Sequence, residues 1–199
     1  MNVSAIVQAR MGSSRFPGKV LAPFRGEPII LHVVRAASDA VGRENVVVAT
    51  SEEASDDPLA AYLGAIDVPC FRGPSDDVLK RFRMCARAYP STWVLRLCAD
   101  SPLLDPAVIR AVIAEAADGV DVVTTTFAGG HGTNAELVLS AALLGIDPAE
   151  ATDEEREHVM PFFYRRSDRY RIIPVDVPVA GEGLAVDTVE DLARLEARR

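Results

Sequence analysis

Short apolar runs alternate with amphipathic stretches along the first 125 residues. Val3 to Val7 is a mostly apolar run, followed by a polar loop with Gly and Pro from Ala9 to Pro23. Residues 28 to 40 place Ile29, Ile30, Val33, Val34 and Ala37 at helical spacing, and Asn45 to Ala49 is β-branched between Glu44 and Thr50. These three elements make a βαβ unit. The same alternation continues. Asp56 to Leu63 reads as a helix capped by Asp with Pro58 in its first turn, and Val68 to Phe71 as a strand. Ser75 to Ala88 reads as a helix with Ser75-Asp76-Asp77 supplying an N-cap. Val94 to Leu97 and Val120 to Thr126 read as strands flanking a helix from Pro106 to Ala117.

The last third is less regular. Gly129-Gly130-His131-Gly132 reads as a hinge or turn, Asn134 to Leu139 as a strand, and Asp153 to Tyr164 as a helix around Pro161. Tyr170 to Val177 reads as a strand. Leu184 to Val186 reads as a last short strand, capped into a helix by Asp187 or Thr188. The whole predicts an α/β fold in one domain, residues 1–199, with a mostly parallel central sheet and helices on both faces. Ligands in such sheets bind beyond the carboxyl ends of the strands, where the strand order switches. The loops after Val7 and Leu97 are therefore the expected site.

Composition narrows the function. The 199 residues are 49% hydrophobic with a net charge of −8, which argues for a packed globular chain and against a basic nucleic-acid surface. The chain shows neither a run of eighteen apolar residues nor a basic n-region before an apolar one, so neither a membrane span nor a signal peptide is expected, and the default location is cytoplasmic. Cys70, Cys85 and Cys98 have no C-x-x-C spacing and read as free buried thiols.

Positive charge is concentrated in Arg10 to Lys19, which holds three cations and no carboxylate. Lysine is otherwise rare: Lys19 and Lys80 stand against nineteen arginines, so a Lys in this loop suggests a role for a compact point charge. The loop is not a Walker loop, because five residues separate Gly12 from Gly18 and Val20 follows Lys19. It does expose backbone N–H groups at two glycines and direct Arg10, Arg15 and Lys19 at one small volume, which suits a triphosphate. Asp100 leaves the end of a strand in Arg96-Leu97-Cys98-Ala99-Asp100-Ser101-Pro102, and Asp187 lies in Val186-Asp187-Thr188-Val189-Glu190-Asp191-Leu192. Each carboxylate could simply cap a turn or helix. Together they could hold a hard, oxygen-seeking cation such as Mg2+.

Five blocks, QARMGSSRFPGKVL, FRGPSDDVLKRF, RLCADSPLLDP, EREHVMP and VDTVEDL, occur in order across nearly the whole chain. They resemble the cytidylyltransferase family of the spore-coat polysaccharide (SpsF-type) proteins, related to the synthetases of CMP-sialic acid and CMP-KDO. The resemblance implies a Rossmann-like nucleotide-diphospho-sugar transferase fold. It also implies transfer of CMP from CTP to an acidic sugar or similar small acceptor, with release of pyrophosphate. By position, Arg10, Arg15 and Lys19 would hold the CTP phosphates, Gly12 and Ser13 would also belong to the nucleotide site, and Ala9 and Arg72 to Asp77, with Ser75 and Asp77 among them, would lie near the cytidine. Asp100 and Asp187 would bind Mg2+, with Arg15, Lys19 and Asp100 carrying the chemistry. Glu136, Arg156, Glu157 and His158 match acceptor-side positions, although residues 154–157 also read as a solvated helix face and His158 as an ordinary helix histidine.

Departures from the family pattern fall on the acceptor and dimer side, where Gly130 to Glu136 differs and the chain stops eight residues after Asp191. A homodimer is compatible with the family. The rival readings are a nucleotidyltransferase using another NTP, an inactive nucleotide-binding relative, and a glycosyltransferase, which normally needs the strand-end D-x-D that Asp100-Ser101-Pro102 lacks.

Overall fold

A computed structural model describes residues 1–125, 135–177 and 184–198. A seven-stranded sheet runs through the middle, formed by β1 (Val3–Gln8), β4 (Val46–Ser51), β5 (Cys70–Gly73), β6 (Trp93–Cys98), β7 (Val122–Thr124), β8 (Glu136–Leu139) and β9 (Ile172–Pro174). A separate two-residue hairpin pairs β2 (Pro23–Phe24) with β3 (Glu27–Pro28). The sheet order is β5-β4-β1-β6-β8-β7-β9. Only β8 runs against its neighbours β6 and β7, so the sheet is mostly parallel, as expected. Strand order reverses direction at β1, which puts the crevice between the carboxyl ends of β1 and β6.

Alternation along the central strands feeds two cores. Val3, Ala5 and Val7 of β1, with Leu95 and Leu97 of β6, pack under α1 (Ile29–Val41), α2 (Asp57–Ala65) and α4 (Pro106–Ala114). Ile6, Val47 and Val94 face the other way, against α3 (Val78–Ala88), α5 (Ser140–Leu144) and the α6–α7 region (Asp153–His158, Pro161–Tyr164). Near-continuous apolar strands are what a sheet covered on both faces requires. A third, smaller cluster packs Leu184, Val186 and Leu195 of the C-terminal segment, which includes α8 (Val189–Glu196), on Phe24 and Ile29.

Several boundaries differ from the sequence reading for local reasons. Asp56 occupies the N-cap position of α2 but makes no side-chain capping bond: its carboxylate accepts from the Met11 and Ser51 amides and the Ser51 hydroxyl. Asp77 alone caps α3, accepting from the Lys80 amide, so that helix begins at Val78. The helix expected from Asp153 to Tyr164 is broken at Val159, whose φ of 65° no continuous helix permits. Leu184 to Val186 is not a strand, though the Val186 amide does donate to the Asp100 carbonyl at 2.8 Å. Cys85 is buried, whereas Cys70 and Cys98 are only partly so. Gly129 to Gly132 and Asn134 lie outside the described residues. Among the described residues, no helix is long and apolar enough to cross a membrane.

Candidate active site

The loop after β1 is held in shape from below. Its Met11 carbonyl accepts from the amides of Ser13 (3.0 Å) and Gly18 (2.8 Å), closing a compact turn. Gly18 has φ 74°, a left-handed conformation that a residue with a Cβ adopts only at a cost, and it starts the short helical turn Lys19–Leu21 that aims the lysine. Asp56 fixes the other end of the turn by taking the Met11 amide at 2.6 Å. Burial opposes the charge on Asp56, but the Ser51 hydroxyl, the Met11 amide, Thr50 and the Ser51 amide outweigh it and hold the carboxyl below its ordinary value.

The loop and the end of β6 enclose a cleft of about 290 Å³. Its lining includes Ala9, Arg10, Ser13, Arg15, Lys19, Asp100, His158 and Asp187. The three loop cations thus share one cavity, as expected, yet each already faces a carboxylate. Arg10 reaches Glu157 at 3.6 Å and Arg15 reaches Asp187 at 3.1 Å, both largely in solvent. Such exposed pairs are weak and easily exchanged for a phosphate.

Lys19 is different. Its Nζ donates to Asp100 Oδ2 (2.9 Å), the Val186 carbonyl (2.8 Å) and Asp187 Oδ1 (3.1 Å), and its side chain is 11% exposed. Burial works against the ammonium, but Asp100 and then Asp187 more than compensate, so its pKa lies above the ordinary lysine value. Three oxygens, one from the loop after β6 and two from the C-terminal segment, therefore converge on one cationic point. Neither carboxylate is a cap: Thr188 caps α8 in a reciprocal capping box with Asp191, and among the described residues Asp100 accepts only from Lys19 and, at 3.3 Å, the Ser101 hydroxyl. Among the described residues there is no cluster of three or more acidic, His or Cys side chains suited to a metal. Two carboxylates with a carbonyl nonetheless fit Mg2+, which binds few protein oxygens and completes its shell with water and substrate phosphates.

A second cleft of about 310 Å³ meets the first at Arg10. It is lined by Ser75, Asp76, Val78, Asp153, Arg156 and Glu157. Residues assigned to opposite substrates meet here: Arg156 pairs with Asp77 at 3.2 Å. The segment 154–157 is not a uniformly solvated face, because Glu155 is buried in the capping box with Thr152 and bonded to Arg166. His158 stands exposed at the rim of the first cleft. Gly12 has open space where a Cβ would project.

Two assigned residues are occupied elsewhere. Arg72 binds the carbonyls of Ser51 and Glu53 and pairs with Asp57 at 2.7 Å, bracing the end of β4. Glu136 is 4% exposed, paired with Arg96 and bonded to the Tyr164 hydroxyl, so it lies inside the sheet rather than in either cleft. Sequence reasoning passed over Gln8, Asp56, Arg81 and Arg96. Arg81 is buried and donates to the Pro74 carbonyl at 2.6 Å, beneath the 72–77 loop. A Cβ at Gly73 would lie 3.0 Å from the Arg81 side chain, so a larger residue there would crowd it. Burial lowers the Arg81 pKa.

Comparisons with known proteins agree with this architecture. The spore coat polysaccharide biosynthesis protein SpsF of Bacillus subtilis (strain 168) is 32% identical over 96% of this chain and 84% of its own length. The 8-amino-3,8-dideoxy-manno-octulosonate cytidylyltransferase of Shewanella sp. (strain ANA-3) is 36% identical over 57% of this chain and 46% of its own length. The solved structure of a cytidylyltransferase from Leptospira borgpetersenii superimposes with a TM-score of 0.91 at 28% identity, covering 98% of this chain and 85% of that one. The cytidylyltransferase family model matches residues 4–192, and this chain belongs to that family.

Proposed function

We propose that this cytidylyltransferase is Mg2+-dependent, binds CTP over the 9–19 loop and transfers CMP to a small acidic sugar, releasing pyrophosphate. The observation that carries this reading is the convergence of Asp100, Asp187 and the Val186 carbonyl on the Lys19 ammonium. That site is built for a cation beside a cationic loop. The acidic-sugar acceptor follows from the activity named for the Shewanella relative. A cytoplasmic location belongs to the same reading.

In the transfer, an acceptor hydroxyl oxygen attacks the α-phosphorus and gives up its proton to water, the bond from that phosphorus to the bridging oxygen breaks, and pyrophosphate leaves with the electron pair. Positioning and electrostatics dominate such a step. Arg10 and Arg15 exchange their exposed carboxylate partners for phosphate oxygens. Lys19, released from Asp100 and Asp187, neutralises charge on the departing group. Asp100 and Asp187 would hold Mg2+, which when bound would supply charge neutralisation at the phosphates. Arg81 supports the 72–77 loop on the base side of the cleft, and Arg156, Glu157 and His158 border the space left for the acceptor.

The test is pyrophosphate release from CTP, ATP, GTP and UTP, with Mg2+ or EDTA, against a panel of sugar acids, sugar phosphates and phosphonates. Release with CTP, Mg2+ and a sugar acid is expected. Preference for another NTP would replace the nucleotide assignment, and no turnover with intact CTP binding would favour an inactive relative.

A further inference from the structure

Gln8 is the only glutamine in the chain. It ends β1, pairs in register with Cys98, and lines the main cleft beside Ala9, Cys98 and His158. By the alternation of β1 it shares the face of Ile6, the side covered by α3 and α6.

The direction of the Gln8 amide is set by a buried ion pair. Arg96 is 9% exposed; its Nη1 pairs with Glu136, and its Nη2 donates to Gln8 Oε1 at 2.9 Å. A guanidinium has donors only and stays charged. The reversed amide would set N–H against N–H and lose a charge-assisted bond, so oxygen faces Arg96 and nitrogen faces away from it. Among the described residues nothing accepts from Gln8 Nε2, and the residue borders the cleft. Glu136 is itself held by the Tyr164 hydroxyl, which also meets Thr124 Oγ1 at 3.1 Å, so the orientation is anchored across β6, β8, β7 and α7.

We infer that Gln8 is a substrate-binding residue whose amide Nε2 donates to an oxygen of the substrate lying over the carboxyl ends of β1 and β6. A nucleotide phosphate or ribose oxygen and a sugar-acid carboxylate share the required chemistry, an acceptor facing a fixed donor. The identity of the substrate rests on the cytidylyltransferase reading; the direction of the amide rests on Arg96 alone.

A protein carrying 15N at the glutamine side chain and at the glycine amides gives one Nε2 nitrogen, that of Gln8, beside the glycine signals, and NMR reads both directly. In the ligand-free protein its protons should exchange rapidly with water; slow exchange would overturn the orientation. One arm then adds CTP with Mg2+, the other CMP with 3-deoxy-manno-octulosonate. A shift of the Gln8 signal at saturation in either arm supports the proposal and identifies the source of the oxygen. A silent Gln8 signal while the Gly12 and Gly18 amides respond to CTP overturns it. If those loop amides are silent too, the CTP reading fails as well. Gln8→Glu keeps an acceptor for Arg96 but places a carboxylate in the cleft, so KM for the responding substrate should rise tenfold or more with the melting temperature near wild type. Unchanged kinetics in a folded Gln8→Glu, or in Gln8→Leu if the former does not fold, would also overturn it.

Discussion

Asp56 holds the backbone amide of Met11 at 2.6 Å across 45 residues of sequence, tying the loop after β1 to the end of β4. The same carboxylate takes the Ser51 amide and hydroxyl, so one buried side chain sets the base of the loop. Preorganised N–H donors are useful to a phosphate only if they do not have to be ordered on binding.

Asp56→Ala should therefore weaken CTP binding about tenfold and destabilise the fold by about 3 kcal/mol, because buried donors lose a charged partner. Calorimetric CTP titration and a denaturant melt check both. Asp56→Asn should fall between wild type and Asp56→Ala.

Acid should act through the same group. The folded-state pKa of Asp56 lies below the unfolded value, so its contribution is complete at neutral pH and is lost as pH falls from about 4 through the folded value. Stability measured between pH 7 and pH 2 should drop more steeply in wild type than in Asp56→Asn. Parallel curves would show that Asp56 carries none of the acid sensitivity.

Asp187 and Thr188 are adjacent and should give opposite signatures. Thr188→Ala removes the α8 cap and should cost about 1 kcal/mol of stability with most turnover retained. Asp187→Asn leaves that cap intact and can still accept from Lys19, but loses the charge a hard cation requires; turnover should collapse with little change in melting temperature. Asp100→Asn should behave like Asp187→Asn. Near-native Mg2+-dependent activity in both Asn variants would remove the metal assignment.

Lys19→Ala leaves Asp100 and Asp187 facing each other without their shared cation. The metal-free variant should melt below wild type, and Mg2+ alone should raise its melting temperature more than that of wild type. Arg15→Ala, whose pair with Asp187 is exposed, should leave stability unchanged and lower CTP affinity about tenfold through loss of a charge-assisted contact. Thermal melts with and without Mg2+ separate the two roles.

Local pattern was enough to identify the mostly parallel sheet, the placement of helices on both faces and the loops that line the main cleft. Strand alternation, helical spacing and caps such as Asp77 act over a few residues, and the five blocks kept their order along the chain. The partners of the site residues were not legible in the same way. Asp56 reads as a helix cap until Met11 is brought beside it, and Asp187 reads as one until Thr188 is seen to occupy that position. Glu136 reads as an acceptor contact until β8, running antiparallel, sets it opposite Arg96 in the register. Gln8 carries no local signal at all, because the direction of its amide is imposed by an arginine 88 residues away. A buried charge must find its counter-charge in three dimensions, and which groups meet depends on strand order and register, to which short-range periodicity is blind.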